Sequence, residues 1–240
     1  MREIRTRPGL TEPVHGSQRI FKAVLEAVSR PGKLVKVFDL PPSPYAEAAP
    51  AGGKTPGRGL TGGMSRGLTA LALALCDQDT PIWLDSACDD AETRHHLRFH
   101  CGSPLVKEPA GAVFAFVGDA TRLPRLHEFS RGMPEYPDCS ATLIIRAVLG
   151  GPAGERFEFN GPGARDAVCL IQGLPVWFRK SWQDNHAGYP LGVDALFVDD
   201  RGAVDPLPHF KILGLPRGVS FESARRPRSY NRENLQCMSR

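Results

Sequence analysis

The amino-acid sequence predicts one three-layer α/β/α domain built around a mixed sheet. Segments with helical spacing of apolar residues alternate with short strand-like segments along most of the chain, which is typical of layered α/β proteins. A chain of 240 residues, of which 41% are hydrophobic, is long enough to bury one large core. No internal repeat is present, so we expect a single layered domain rather than a repeat array.

The first predicted elements are a helix and a strand. Ser17 can cap a helix that continues to Ser29 and carries its apolar residues at helical spacing. Pro31 and Gly32 should end this helix, and residues 33–38 alternate as in a half-buried strand. The residues expected on the buried face of the helix are Ile20, Phe21, Val24, Leu25 and Val28.

The remaining elements follow the same alternation. Residues 89–101 predict a helix with acidic residues early and basic residues late, an order that suits the helix dipole. Asp199 to Gly202 form a predicted turn between two strands, and the chain after Ser220 reads as a basic, disordered tail. Further helices are predicted at residues 68–76, 122–129 and 176–184, and strands at residues 80–84, 112–117, 141–149, 155–159, 193–198 and 211–215.

Composition limits the classes of function. The net charge is +4, but the last twenty residues alone hold five arginines and two glutamates, so the basicity is mostly a property of the tail. This distribution does not favour a nucleic-acid-binding surface. The six cysteines form no CxxC pair, which favours free thiols in a reducing compartment. No apolar run is long enough for a membrane helix, so we expect a soluble, cytoplasmic protein.

A short stretch, AAPAGGKT at residues 48–55, matches the relaxed pattern of a phosphate-binding P-loop. Such a loop works when a strand leads directly into a glycine turn and a helix follows. Here residues 39–47 separate the strand from the match, and Pro56, Gly57 and Gly59 oppose a helix after it. We therefore interpret the segment as a surface loop.

The histidines of the predicted helix at residues 89–101, the glycine-rich stretch at residues 159–164 and Cys139 are better explained by structural roles than by a metal or catalytic site. His96 and His100 would share a helix face, but the intervening residues lack the glutamate of HExxH, and Arg98 would repel a cation. We expect no metal, and a helix end whose histidines favour the dipole. The stretch FNGPGA at residues 159–164 predicts a tight turn, and Cys139 is expected to be a buried thiol.

Arg98 and His100 could instead bind a phosphate or phosphonate, because guanidinium offers a bidentate fork for such groups. A helix end presents carbonyl groups to a ligand, however, so packing or ion pairing of Arg98 is the favoured interpretation.

Seven stretches, in this order and spacing, resemble the PhnH family of subunits of the bacterial carbon–phosphorus lyase system. The resemblance covers residues 11–217. The stretches are Glu12–Gly32, Gln78–Asp85, Leu97–Val106, Glu135–Ile145, Phe159–Gly163, Tyr189–Val198 and Gly214–Arg217.

The resemblance implies a fold like the large domain of pyridoxal-phosphate-dependent transferases, without the cofactor, and a homodimer in isolation. It implies assembly with the PhnG, PhnI and PhnJ proteins. With PhnL, that machinery joins an alkylphosphonate to the ribose of ATP and displaces adenine. No catalytic residue is carried over, because the chemistry is attributed to the partner subunits.

The positions that match the family motifs are candidates for ligand or partner contact: Arg98, His100, Asp194 and Arg217. The resemblance also divides the chain into an extension at residues 1–10, a single domain at residues 11–218 and a basic tail at residues 219–240. Two features near the end of the domain depart from the family pattern. Gly218 and Val219 stand where the family usually has two threonines, and the stretch at residues 203–217 is longer than usual.

Three functions remain open at this stage. In the first, the chain is an accessory subunit that acts by protein contact, with Trp177, Phe178 and Trp182 either in a partner patch or, as we favour, in the core. In the second, it is a stand-alone enzyme that binds a nucleotide or phosphonate where Arg98, His100 and Arg217 converge. In the third, it is a pyridoxal-phosphate enzyme, which would need a lysine adduct.

Overall fold

The computed structural model describes residues 8–30, 34–36, 63–150, 155–161, 164–199 and 203–207, and these form a layered α/β fold. Four parallel strands lie at its centre: β2 (Ile82–Leu84), β3 (Phe114–Val117), β4 (Thr142–Arg146) and β8 (Asp194–Val198). Two antiparallel strands, β9 (Ala203–Leu207) and β1 (Val35–Lys36), extend the sheet beyond β8. The order across this mixed sheet is β1-β9-β8-β4-β3-β2. The α/β class with a mixed sheet is therefore confirmed.

A second sheet contains β5 (Val148–Leu149), β6 (Glu155–Gly161) and β7 (Ala164–Gln172), in the order β5-β7-β6. The predicted strand at residues 141–149 is divided between the two sheets. The Ala147 amide still donates to the Val198 carbonyl oxygen of the main sheet, whereas Val148 pairs with Gln172 of the second sheet. Gly161 pairs with Ala164, but residues 162 and 163 of the predicted tight turn lie outside the described residues. The strand β7 has no counterpart in the prediction.

The first helix, α1 (Pro13–Ser29), begins four residues before the predicted start, so Ser17 is not its cap. Pro13 stands in the first turn, where its missing N–H has no intrahelical partner to lose and its fixed φ suits the helix. Only part of the predicted face is buried: Ile20 and Val24 lie in the core with Ala27. Phe21, Leu25 and Val28 are exposed, against prediction.

Helices α2 (Arg66–Leu75) and α3 (Ala91–His100) agree with the predicted segments within a few residues. The Ser65 side chain caps α2 by accepting from the Leu68 amide, and Asp90 caps α3 by accepting from the Thr93 amide. Together with α1 they cover one face of the main sheet, where Leu68, Leu71 and Leu97 pack against the strands. None of the helices in the described residues is long and apolar enough to cross a membrane.

The opposite face of the main sheet is covered by α4 (Phe178–Ala187), by the second sheet and by the segment after β3. Phe178 and Trp182 are buried there and stack with ring centroids 5.6 Å apart, and Trp177 packs against the same cluster. The favoured interpretation as core residues is confirmed for Phe178 and Trp182, whereas Trp177 is only partly buried at the margin of the cluster.

Two smaller predictions are corrected. In place of the helix predicted at residues 122–129, the structure has two short 3₁₀ turns, Ala120–Arg122 and Leu126–Glu128. Pro124 lies between them, and proline after a turn interrupts a continuous helix. The Cys139 thiol is exposed at the end of another 3₁₀ turn, not buried. The P-loop match, the strand at residues 211–215 and the basic tail lie outside the described residues.

Candidate functional site

The carboxyl edge of the parallel strands is where α/β proteins commonly bind their ligands. In this chain the edge is organised by Asp85, the residue after β2, which is 2% exposed. Its carboxylate accepts hydrogen bonds from the Cys88 amide at 2.9 Å and from the Asp119 amide, after β3, at 3.1 Å. Asp85 thus joins the loops that follow two neighbouring strands, which is a structural role.

Cys88 lies beside Asp85 and is fully buried. An added Cβ at Gly118 would lie 2.7 Å from its sulfur, so the loop after β3 requires glycine for this close approach. Burial raises the pKa of the Cys88 thiol, and the charge of Asp85 raises it further, while Arg146 acts in the opposite direction. A thiol that stays protonated at neutral pH is a poor nucleophile.

The rim of this edge is filled by short contacts. The Arg122 guanidinium lies 3.4 Å from the Asp119 carboxylate and donates to the Ser86 hydroxyl at 3.4 Å. The start of α2 approaches the end of β8 so closely that a Cβ at Gly67 would lie 2.6 Å from Val198. Within the described residues, this edge is therefore packed and ion-paired.

The sequence-predicted residues Arg98 and His100 are exposed in the last turn of α3. The His100 ring lies 4.4 Å from the His96 ring, centroid to centroid, and contacts Gly9, where an added Cβ would lie 3.0 Å from it. Arg98 makes no hydrogen bond or ion pair with the described part of the chain, so the ion pairing predicted for it is not seen there. The described residues contain no group of three or more His, Cys, Asp or Glu side chains placed to hold a metal.

Asp194, another predicted residue, begins β8 and pairs with Thr142 in the first position of β4. The segment after α3 pairs instead with β2, through Leu105 and Ile82, and β3 and β4 lie between β2 and β8. Arg98 and His100 therefore share the last turn of α3 but, two residues apart, point to different sides of the helix, and both are separated from Asp194 by β3 and β4. Arg217 lies outside the described residues.

An exposed apolar stripe on α1 was missed by the sequence analysis. It consists of Val14, Phe21, Leu25 and Val28, whose exposed fractions are 65%, 49%, 53% and 44%. At 100° per residue they fall within an arc of roughly 60° and extend along about 21 Å of the helix. The sequence signal was present, because the apolar residues of α1 cover a wider arc than one buried face requires. We refer to these four residues as the α1 stripe.

Comparison with known proteins places this molecule in a class. A family model described as "Bacterial phosphonate metabolism protein (PhnH)" matches residues 8–221. The chain is also 30% identical over 200 residues to alpha-D-ribose 1-methylphosphonate 5-triphosphate synthase subunit PhnH of Rhizobium meliloti (strain 1021), covering 82% of this chain and 90% of the relative. The molecule is thus a bacterial phosphonate metabolism protein. It belongs to the PhnH family.

Proposed function

We propose that this chain is the PhnH subunit of ribose 1-methylphosphonate 5-triphosphate synthase and acts in phosphonate metabolism by contact with other subunits. The observation that carries the proposal is the family match over residues 8–221, supported by a relative whose name describes a subunit of that synthase. The packing of the carboxyl edge supports a role through surface contact, since Asp85 and Cys88 hold loops together there.

The proposed partners are the PhnG, PhnI and PhnJ proteins, with PhnL acting in the same reaction, and the chain on its own is proposed to be a cytoplasmic homodimer. We also propose one domain at residues 11–218, flanked by an extension and a basic tail. Its likeness to the large domain of pyridoxal-phosphate-dependent transferases, without their cofactor, stays a prediction.

The α1 stripe is the part of the described surface that best suits a partner subunit. Exposed apolar residues that lie together on one helix face are typical of sites for protein association. Polar residues border the stripe on one side: at 100° per residue the exposed side chains of Gln18 and Ser29 fall next to it. An apolar centre with a polar rim is the usual anatomy of an interface.

Arg98, His100, Asp194 and Arg217 are proposed as further positions of partner contact. Arg98 suits such a role because it is exposed and makes no ion pair with the described residues, so its guanidinium is available to a carboxylate of another subunit.

Variants of the α1 stripe test the proposal. We expect Phe21→Ser to weaken association with co-expressed PhnG, PhnI and PhnJ proteins. About half of the surface of Phe21 is exposed and open to a partner. Losing its burial in the complex should cost about 2 kcal/mol of binding free energy, which raises Kd roughly 30-fold. Lys22→Ser, at the neighbouring exposed position, is the matched control. Equal affinity of both variants, with unchanged Tm, would exclude the α1 stripe as the contact. Failure of the wild-type chain to associate would exclude the subunit function itself.

A further inference from the structure

We propose that a cleft on the α4 side of the sheet is a binding site for a small tetrahedral oxyanion, a phosphate or phosphonate head group. The cleft has a volume of about 120 Å³ and lies between α4 and the segment that connects β3 to β4. All residues that line the site belong to this chain, so the anion-binding proposal can be tested separately from the proposed subunit function. We call it the Arg131 cleft; it is lined by Leu126, His127, Arg131, Ser181, Asp184 and Asn185.

Arg131 supplies the positive charge of the Arg131 cleft. Its side chain is half-buried, and its guanidinium makes no hydrogen bond or ion pair with the described residues. The guanidinium lies against Gly188, where an added Cβ would be 2.2 Å from Nη2. A half-buried guanidinium without a protein partner is costly unless a ligand or water satisfies its donors. Its planar fork matches two oxygens of a phosphoryl group.

Two further donors line the same space. The His127 ring and the Ser181 hydroxyl make no hydrogen bond within the described part of the chain, so both are available to a ligand. The one acidic lining residue, Asp184, is engaged by Lys180 at 2.5 Å, which offsets its repulsion of an anion. The donor set of arginine, imidazole and hydroxyl therefore favours an oxyanion over a cation.

The walls of the Arg131 cleft are held in place before any ligand arrives. The Arg131 carbonyl oxygen accepts from the Gly192 amide at 3.0 Å, and its backbone pairs with Ser140. Buried Asn185 makes two hydrogen bonds of 2.9 Å with the backbone of Val193, one as donor and one as acceptor. A preorganised cleft binds its ligand without the cost of ordering loops.

The size of the cleft selects the class of ligand. A volume of about 120 Å³ accepts a phosphate or methylphosphonate group. It is well below the roughly 300–1,000 Å³ of pockets that enclose larger ligands, so a nucleotide could place at most one phosphoryl group here. The lining side chain of Leu126 is apolar and nearly buried, and it provides a surface for the methyl group of a phosphonate.

Calorimetric titration of the full chain with methylphosphonate, inorganic phosphate and acetate tests the site. We expect saturable binding of methylphosphonate or phosphate, one per chain, and weaker binding of acetate. Arg131→Met should weaken binding by about tenfold or more, as expected when a charge-assisted hydrogen bond is lost. If methylphosphonate binds more tightly than phosphate, the ligand of the cleft is a phosphonate. If phosphate binds more tightly, the ligand is a phosphate group.

Two further variants complete the test. Gly188→Ala retains Arg131 but displaces its guanidinium, so it should reduce affinity as Arg131→Met does. This variant replaces Arg131→Met in the test if the Arg131→Met protein does not fold. Lys107→Met is the control: it removes an exposed positive charge that lies outside the cleft and makes no ion pair with the described residues, so it should leave affinity within about twofold. The proposal is overturned if the wild-type chain shows no saturable binding at millimolar anion. It is equally overturned if Lys107→Met weakens binding as much as Arg131→Met and Gly188→Ala do.

Discussion

Replacing Asn185 by alanine is expected to lower the free energy of unfolding by about 2–6 kcal/mol. The Asn185 side chain connects α4 to the start of β8: its amide donates to the Val193 carbonyl oxygen and its oxygen accepts from the Val193 amide, both at 2.9 Å. Val193 is fully buried, so water cannot replace either bond. A buried backbone group that loses its hydrogen-bond partner costs about 1–3 kcal/mol. The substitution leaves two such groups without a partner, the amide and the carbonyl oxygen of Val193.

The assay is unfolding in guanidinium chloride, followed by far-ultraviolet circular dichroism and by the fluorescence of buried Trp182 on the same helix. Asp184→Ala is the matched control, since it removes the exposed partner of Lys180 one residue away, and it should change the free energy by no more than about 0.5 kcal/mol. If Asn185→Ala costs no more than Asp184→Ala, the two hydrogen bonds do not hold α4 to β8, and the rigid wall of the Arg131 cleft is refuted.

The remaining predictions concern the thiols and one close approach. Of the four thiols whose exposure the structure describes, at Cys76, Cys88, Cys101 and Cys139, alkylation followed by peptide mass mapping should modify exposed Cys139 first and leave buried Cys88 unmodified in the folded chain. Burial raises the pKa of the Cys101 thiol to about 11. Because only the thiolate reacts, the alkylation rate of Cys101 should be low at pH 8 and rise with pH. Labelling of Cys88 or Cys101 before Cys139 would contradict this account of their surroundings. Gly118→Ala should lower the free energy of unfolding by about 1–3 kcal/mol, because its Cβ would lie 2.7 Å from the Cys88 sulfur. Gly111→Ala, whose Cβ would meet nothing closer than 3.8 Å, is its control, and equal stability of the two variants would contradict the close packing.

The parts of the fold that could be predicted are those whose pattern is set locally. The strands β2, β3 and β8 are short runs of apolar residues. A strand that is buried on both faces can be recognised from such a run alone, without knowledge of the strands beside it. The helix α3 was recognised from its acidic beginning and basic end, and the structure shows in addition that Asp90, one of the early acidic residues, caps it.

The missed features depend on contacts between distant parts of the chain. The strand β7 is recognised only by its pairing with β5 and β6, since residues 164–172 mix charged and apolar side chains. Which apolar residues of α1 are buried depends on how the helix lies on α2 and the sheet, so Phe21 and Leu25 could not be separated from Ile20 by spacing alone.

The candidate sites divide in the same way. Arg98 and His100 could be placed at the end of one helix from the sequence, and the structure places them there. The Arg131 cleft could not be predicted, because Arg131 meets Ser181 and Gly188 only when α4 packs beside the segment before β4. An arginine followed by glycine in a loop carries no sequence pattern that distinguishes it from other exposed arginines.

The most direct test of the central claim is the mass of the assembly that this chain forms. The full chain would be co-expressed with the PhnG, PhnI and PhnJ proteins of the same organism, purified through a tag on this chain, and weighed by native mass spectrometry. The proposed function predicts a single species whose mass contains this chain and all three partners in whole-number ratios. Recovery of this chain without any of the three, while it remains folded and the partners are present and soluble in the same cells, would contradict the claim that it acts as a subunit.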